Sequence, residues 1–199
     1  MRHVVKQDAP DAYTEWRKVP TSTSWEALRT PEKKIVKEAL LREQHFLCAY
    51  TEHGIDEDSS HIDHVLPRSI SPALLLDYSN LLAAYPLNQG DLRVDGQTLV
   101  LYGAHYRQNT ILQVTPLHDD CAAHFQFLPS GRVRGTSLDG QSTIDALNLN
   151  AGRLVELRRA AIDGAIEATI RGVGISVDVV GGRLPEFVSS VSTLLAGRA

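Results

Sequence analysis

Hydrophobic positions along the chain follow two periods, one helical and one alternating. Between residues 30 and 48, Ile35, Val36, Ala39, Leu40 and Phe46 recur at roughly helical spacing. Thr30, Pro31 and Glu32 ahead of them supply a cap, a first-turn proline and a negative charge at the positive helix end. The pattern predicts a helix ending near Cys48. TEHGIDEDSS then reads as a polar turn or hairpin loop. HIDHVLP, residues 61–67, predicts a short strand running into a loop and stopped by Pro67. In SPALLLDYSNLLAAY, the part from Asp77 onward predicts a short helix with Asp77 or Ser79 near its cap.

The next stretch is turn-rich, with Asp95-Gly96 as a hairpin signal. TILQVTP and HFQFLPSGRVRGT alternate apolar and polar residues, so both predict strands, with Ser130-Gly131 turning the second into a hairpin. The strongest helical pattern lies in STIDALNLNAGRLVELRRAAIDGAIEATIRG. Leu154, Val155, Leu157, Ala161, Ile162, Ala165 and Ile166 form its stripe, Asn150 can cap it, and Gly172 can close it. The tail adds a β-prone run, a Gly-Gly break and an amphipathic helix presenting Phe187, Val188, Val191, Leu194 and Leu195. That face covers the core or docks a partner. The elements together predict an α+β protein, with a domain over residues 1–172 and a helical and strand tail over 173–199.

The chain has 199 residues, enough for one compact domain with a small appendage. A content of 43% hydrophobic and 22% charged residues excludes wholesale disorder. No apolar run approaches the ~20 residues of a membrane span, and MRHVVKQDAPDAYTEW has no apolar signal core. Two cysteines, Cys48 and Cys121, fit reduced thiols, so a cytoplasmic location is expected. The formal net charge of −4 argues against a strong stand-alone DNA binder and for a partner that supplies basic surface.

The chemistry concentrates in HIDHVLPRS. Asp63 is a hard oxygen ligand suited to Mg²⁺ or Mn²⁺, and the adjacent His64 titrates where a general base is useful. Neighbours on a regular strand point to opposite faces, so both reach one ion only if the backbone leaves the strand there. A histidine and one divalent cation together cover what phosphodiester hydrolysis requires. Asn80, in the following YSNLLAAY, is spaced to orient the histidine through its amide.

These segments resemble the signature elements of the HNH (ββα-metal) endonucleases. REQHFLCAYTE before them, and VTPLHDDCAAHFQFLPSGRVRG and STIDALNLNAGRLVELRR after them, narrow the resemblance to one subfamily. It holds the PtuB-like nucleases of the Septu anti-phage system and their retron-associated relatives, and the likeness covers roughly residues 10–170. The resemblance implies a ββα-metal core flanked by helices, binding one divalent cation, Mg²⁺ or Mn²⁺. It implies Asp63 as a metal ligand, His64 as general base and Asn80 as the central asparagine. The third position falls on His105 in GAHYRQN, with Asn88 in YPLNQGD as the alternative metal ligand. His61, Arg68 and Arg107 are candidate contacts to nucleic acid, His61 being alternatively a second ligand. The implied substrate is nucleic acid, DNA ahead of RNA, and the implied partner is an ATPase subunit. A scaffold that has lost the chemistry and a stand-alone restriction-type nuclease are the rival readings.

Many relatives of that subfamily carry two cysteine pairs around a structural zinc. This chain has Cys48-Ala-Tyr-Thr51 at the first pair, and Tyr85 and Gly103 in the region of the second. A single thiol cannot build a tetrahedral thiolate site, so no structural zinc is expected. Apolar packing then replaces the cross-link, and residues 85–105 are expected to be looser.

Overall fold

A computed structural model describes residues 1–94 and 98–196. Helix α1 (Asp11–Arg17) packs on α2 (Glu32–Glu43), whose Val36, Leu40 and Leu41 are buried. Helix α2 stops at Glu43, short of the expected Cys48, because His45 and Phe46 take positive φ and turn the chain. Strand β1 (His61–His64) then pairs antiparallel with β2 (Leu81–Ala84), with His61 opposite Ala84 and His64 opposite Leu81.

The β2 segment corrects the sequence reading. LLAA has high helix propensity, and the residues from Asp77 were expected to be helical. Asp77 does cap, through its side chain to Ser79 N, but only a 3-10 turn over Tyr78–Asn80 follows. All four β2 residues are buried, the mark of a strand covered on both faces, and a run of that length reads equally as helix or strand.

Strands β3 (Arg93–Val94) and β4 (Thr98–Leu99) pair antiparallel. The Asp95-Gly96 turn signal lies outside the described residues. The short helix α3 (Ala104–Arg107) follows. Residues 111–116 are not a strand: the expected alternation survives as exposed Ile111 and Gln113 against buried Leu112 and Val114. The Val114 N–H is satisfied by Thr143 Oγ1 at 3.0 Å instead of a neighbouring strand. The expected hairpin is present as β5 (Phe125–Phe127) and β6 (Val133–Gly135).

The long helical pattern resolves into α4 (Leu138–Ala146) and α5 (Gly152–Ile170). Asn150 does not cap α5; its amide bonds both ways to the Val133 backbone, at 2.9 and 2.8 Å, and ties α5 to β6. Gly172 closes α5 at φ +71° as expected. Helix α6 (Val188–Ala196) contacts α5 and β5, with Val188 and Val191 buried. Among the described residues no helix is long and apolar enough to cross a membrane.

Two glycines with opposite surroundings test this packing. An added Cβ at Gly140, in α4, would meet the His124 carbonyl oxygen at 2.2 Å, whereas at Gly164, in α5, it meets nothing within 4 Å. Gly→Ala inside a helix ordinarily stabilises by about 0.5–1 kcal/mol. Urea unfolding is expected to show that gain for Gly164→Ala and a loss of more than about 1 kcal/mol for Gly140→Ala.

Candidate active site

The open end of β1 faces a polar cleft of about 320 Å³. Its walls carry His61, Asp63, His64, Arg68, His105 and Arg107. A larger hollow of about 560 Å³ lies beside α2, and two of its acids, Glu43 and Glu52, are already engaged. Glu43 holds Lys6 and Tyr78, and Glu52 holds the Ser189 N–H. Most of the candidate site residues gather in the smaller cleft.

His64 is the last residue of β1, still paired with Leu81, and the chain turns away only after it. Its imidazole is buried, edge-on to Trp25 at 4.6 Å between ring centroids. Nε2 lies 2.9 Å from the Leu75 carbonyl oxygen. A carbonyl only accepts, so Nε2 carries the proton and Nδ1 keeps its lone pair. Burial lowers the pKa of His64 below its usual value, only partly offset by the Leu75 carbonyl. The ring is neutral near pH 7 and can accept a proton.

Asn80 does not touch this ring, contrary to its expected orienting role. Its Oδ1 accepts the Leu66 N–H at 2.8 Å, and its Nδ2 donates to the Leu66 and Leu74 carbonyls at 3.1 and 3.4 Å. It closes the loop after β1, and the Leu75 carbonyl orients the histidine. Asn80 is a positioning residue here, one bond removed from the expectation.

Asp63 points to the other face of β1 from His64, as strand alternation requires. Its Oδ2 accepts from Tyr50 Oη at 2.6 Å and from Arg107 Nη2 at 2.7 Å. The Arg107 side chain is fully buried. It also donates to the carbonyls of His64, Val65 and Thr110. Arg107, expected to contact phosphate, directs four hydrogen bonds from its two Nη atoms into the protein, while its Nε is buried without a hydrogen-bond partner. Asp63, expected as a metal ligand, has its Oδ2 engaged by Tyr50 and Arg107. Among the described residues no three His, Cys, Asp or Glu side chains are gathered to hold a metal ion. The expected ligand set does not fit a divalent ion, because its carboxylate already has a resident cation.

His61 and His105 come together, with ring centroids 4.6 Å apart. Both bond the Pro86 carbonyl oxygen, His61 through Nδ1 at 2.6 Å and His105 through Nε2 at 3.0 Å. Asn88, the alternative third residue, does not line the cleft. It sits at the start of the 3-10 turn Gln89–Leu92, where its N–H bonds Asp91 at 3.1 Å. Arg68 is half exposed on the rim, 3.4 Å from Glu26. Sequence reasoning missed Tyr50, although it lies inside the quoted CAYT, and missed the Leu75 and Pro86 carbonyls, for which no residue type gives a signal.

No family model matches the chain. It is 27% identical over 144 residues to "Retron Vc95 putative HNH endonuclease" of Vibrio cholerae serotype O1 biovar El Tor, covering 67% of this chain and 66% of that protein. It is 28% identical over 120 residues to "Septu protein PtuB" of Bacillus thuringiensis, covering 59% of this chain and 42% of that protein. The chain is a distant relative of both. The matches thus span less than two thirds of each relative's own length. Their names agree with the HNH and Septu resemblance carried by the motifs.

The four positions discussed for a zinc in such relatives do meet. The Tyr85 N–H lies 3.2 Å from Cys48 Sγ, and a Cβ on Gly103 would sit 3.3 Å from Thr51 Cγ2 and 3.8 Å from the Tyr85 carbonyl. A buried histidine has joined them. His53 stacks on Tyr85 at 4.4 Å and Tyr102 at 5.8 Å, with Phe187 edge-on at 5.0 Å. Thr51 Oγ1 lies 3.0 Å from its Nδ1. The stack joins the loop bearing Tyr50 to Tyr85 and Tyr102, near the two ends of the segment expected to be looser.

Burial pushes the pKa of His53 down to about 3 from an ordinary value of 6.5. The unfolded chain takes up this proton near pH 6.5, while the folded chain refuses it until about pH 3. The resulting stability is intact above the unfolded pKa and falls by about 1.4 kcal/mol per pH unit as pH drops between the two values. Urea unfolding between pH 6 and pH 4 is expected to give a shallower acid limb for His53→Phe than for wild type. Equal slopes would assign the acid sensitivity elsewhere.

Proposed function

We propose that this chain is a nuclease that hydrolyses phosphodiester bonds of nucleic acid, DNA ahead of RNA, within an anti-phage complex. The reading is carried by His64, a neutral imidazole held through Nε2 at 2.9 Å with Nδ1 left as acceptor beside a polar cleft. Nδ1 takes a proton from water as the water oxygen attacks phosphorus, and the departing oxygen is protonated from the open cleft. Arg68 supplies positive charge at the rim, where a phosphate would enter. Asn80 and the Leu75 carbonyl keep the loop and the ring in place.

The defence role is supported by the names of the two relatives, and an ATPase partner is proposed on the Septu likeness. A net charge of −4 agrees with a subunit that borrows nucleic-acid contacts from its partner. The Asp63–Arg107 pair gives the inactive-scaffold reading its one specific support.

A cleavage assay on the chain, alone and with its co-purified partner, separates the two readings. His64→Ala is expected to lose about 10²–10⁴-fold in rate with nucleic-acid binding retained, the scale of a lost general base. A His64→Ala protein that cuts as fast as wild type, or a wild-type complex that never cuts, contradicts the proposal.

A further inference from the structure

One aromatic side chain of the cleft takes no part in the proposed chemistry. Trp25 lines the cleft together with His64 and Arg68. It is half-buried and stands on the short 3-10 turn Trp25–Ala27. Three contacts seat that turn. Leu28 anchors it in the core, Glu26 reaches Arg68 at 3.4 Å, and the indole meets His64 edge-on at 4.6 Å between ring centroids.

An edge-on contact takes at most one face of an indole. Over the ring, 5.4 Å from its centroid, stands the ammonium of exposed Lys33, whose flexible stem lets it swing to a phosphate. Gln89, Gln108 and Asn109 also line the cleft and are exposed, and their side-chain amides have no hydrogen-bond partner among the described residues. An aromatic plate, free amides and positive charge are the parts with which proteins hold an unpaired nucleobase. The plate takes the flat face of the base, an amide offers its edge both a donor and an acceptor, and cations take the phosphates. The volume agrees. About 320 Å³ is at the small end of ligand pockets, room for one nucleotide and not for a stacked helix. In a duplex every base is already stacked on its neighbours, so none can lie on the indole unless it is first extruded.

We propose that Trp25 is a stacking platform for an unpaired base, and that the substrate of this cleft is a single-stranded segment of nucleic acid. The substrate class rests on the nuclease reading; the stacking itself does not. Because the indole meets the His64 ring, a base laid on it brings its own phosphate within one nucleotide's span of the Nδ1 acceptor. Preference for single strands then resides in one side chain, separate from the group that takes the proton.

The test begins with NMR of the full chain at low salt, titrated with a single strand of about four nucleotides and with a DNA duplex. The Trp25 indole signals are expected to shift with the single strand, while those of Trp16, which stacks on Tyr13 and does not line the cleft, stay still. Unmoved Trp25 signals at millimolar strand, or equal shifts with the duplex, overturn the proposal. The strand is run as DNA and as RNA; a shift with either supports the platform, and the tighter one names the sugar. This arm needs no variant. Fluorescence anisotropy with a labelled strand of about 12 nucleotides then reads the share of the side chain. Trp25→Leu keeps apolar bulk beside His64 without a π face, and is expected to weaken single-strand binding about 5- to 100-fold, with Trp25→Phe within about threefold of wild type. Unchanged single-strand affinity in Trp25→Leu, or an equal loss for strand and duplex, contradicts the platform. Trp25 shifts in a wild-type protein that never cuts keep the platform and sink the nuclease reading, and cleavage without those shifts does the reverse.

Discussion

One buried guanidinium organises the end of β1. Arg107 reaches from α3 to the carbonyls of His64 and Val65, to Thr110, and to the Asp63 carboxylate. These contacts fix where the strand stops, which side chain faces which wall, and how α3 sits on the β1–β2 hairpin. A buried charge with this many acceptors is stable only as a set, and removing one partner of such a pair typically costs about 3–5 kcal/mol. The guanidinium also decides the electrostatics. It neutralises the carboxylate that would otherwise be the natural seat of a divalent ion.

The cleft divides into two halves because strand side chains alternate. On one side, His64 meets Trp25 and the Leu75 carbonyl and is ready to accept a proton. On the other, His61 and Asp63 face α3, where His105 and Arg107 answer them. Asn80 holds the loop between the halves through the Leu66 backbone. The His53 stack keeps the supporting segments together from behind.

The sequence named the side chains better than it named their partners. His61, Asp63, His64, His105 and Arg107 all reach one cleft, because a histidine-rich strand end and a basic turn are visible as residue types. Their assignments shifted where backbone atoms intervened. The Leu75 carbonyl took the job expected of Asn80, and the Pro86 carbonyl joined two histidines from distant segments. A carbonyl looks the same at every residue, so composition and spacing hold no trace of it. Likewise LLAA became a strand only because β1 offered it a ladder, and Val114 left its expected strand because Thr143 satisfied its N–H.

The pairing of Arg107 with Asp63 is tested most directly by a double-mutant cycle in urea unfolding, using Arg107→Met, Asp63→Asn and both together. The account predicts coupling above about 1 kcal/mol, with the double variant less destabilised than the sum of the singles. Additivity within about 0.3–0.5 kcal/mol would mean that the two groups do not hold each other, and would return Asp63 to the role of an open ligand.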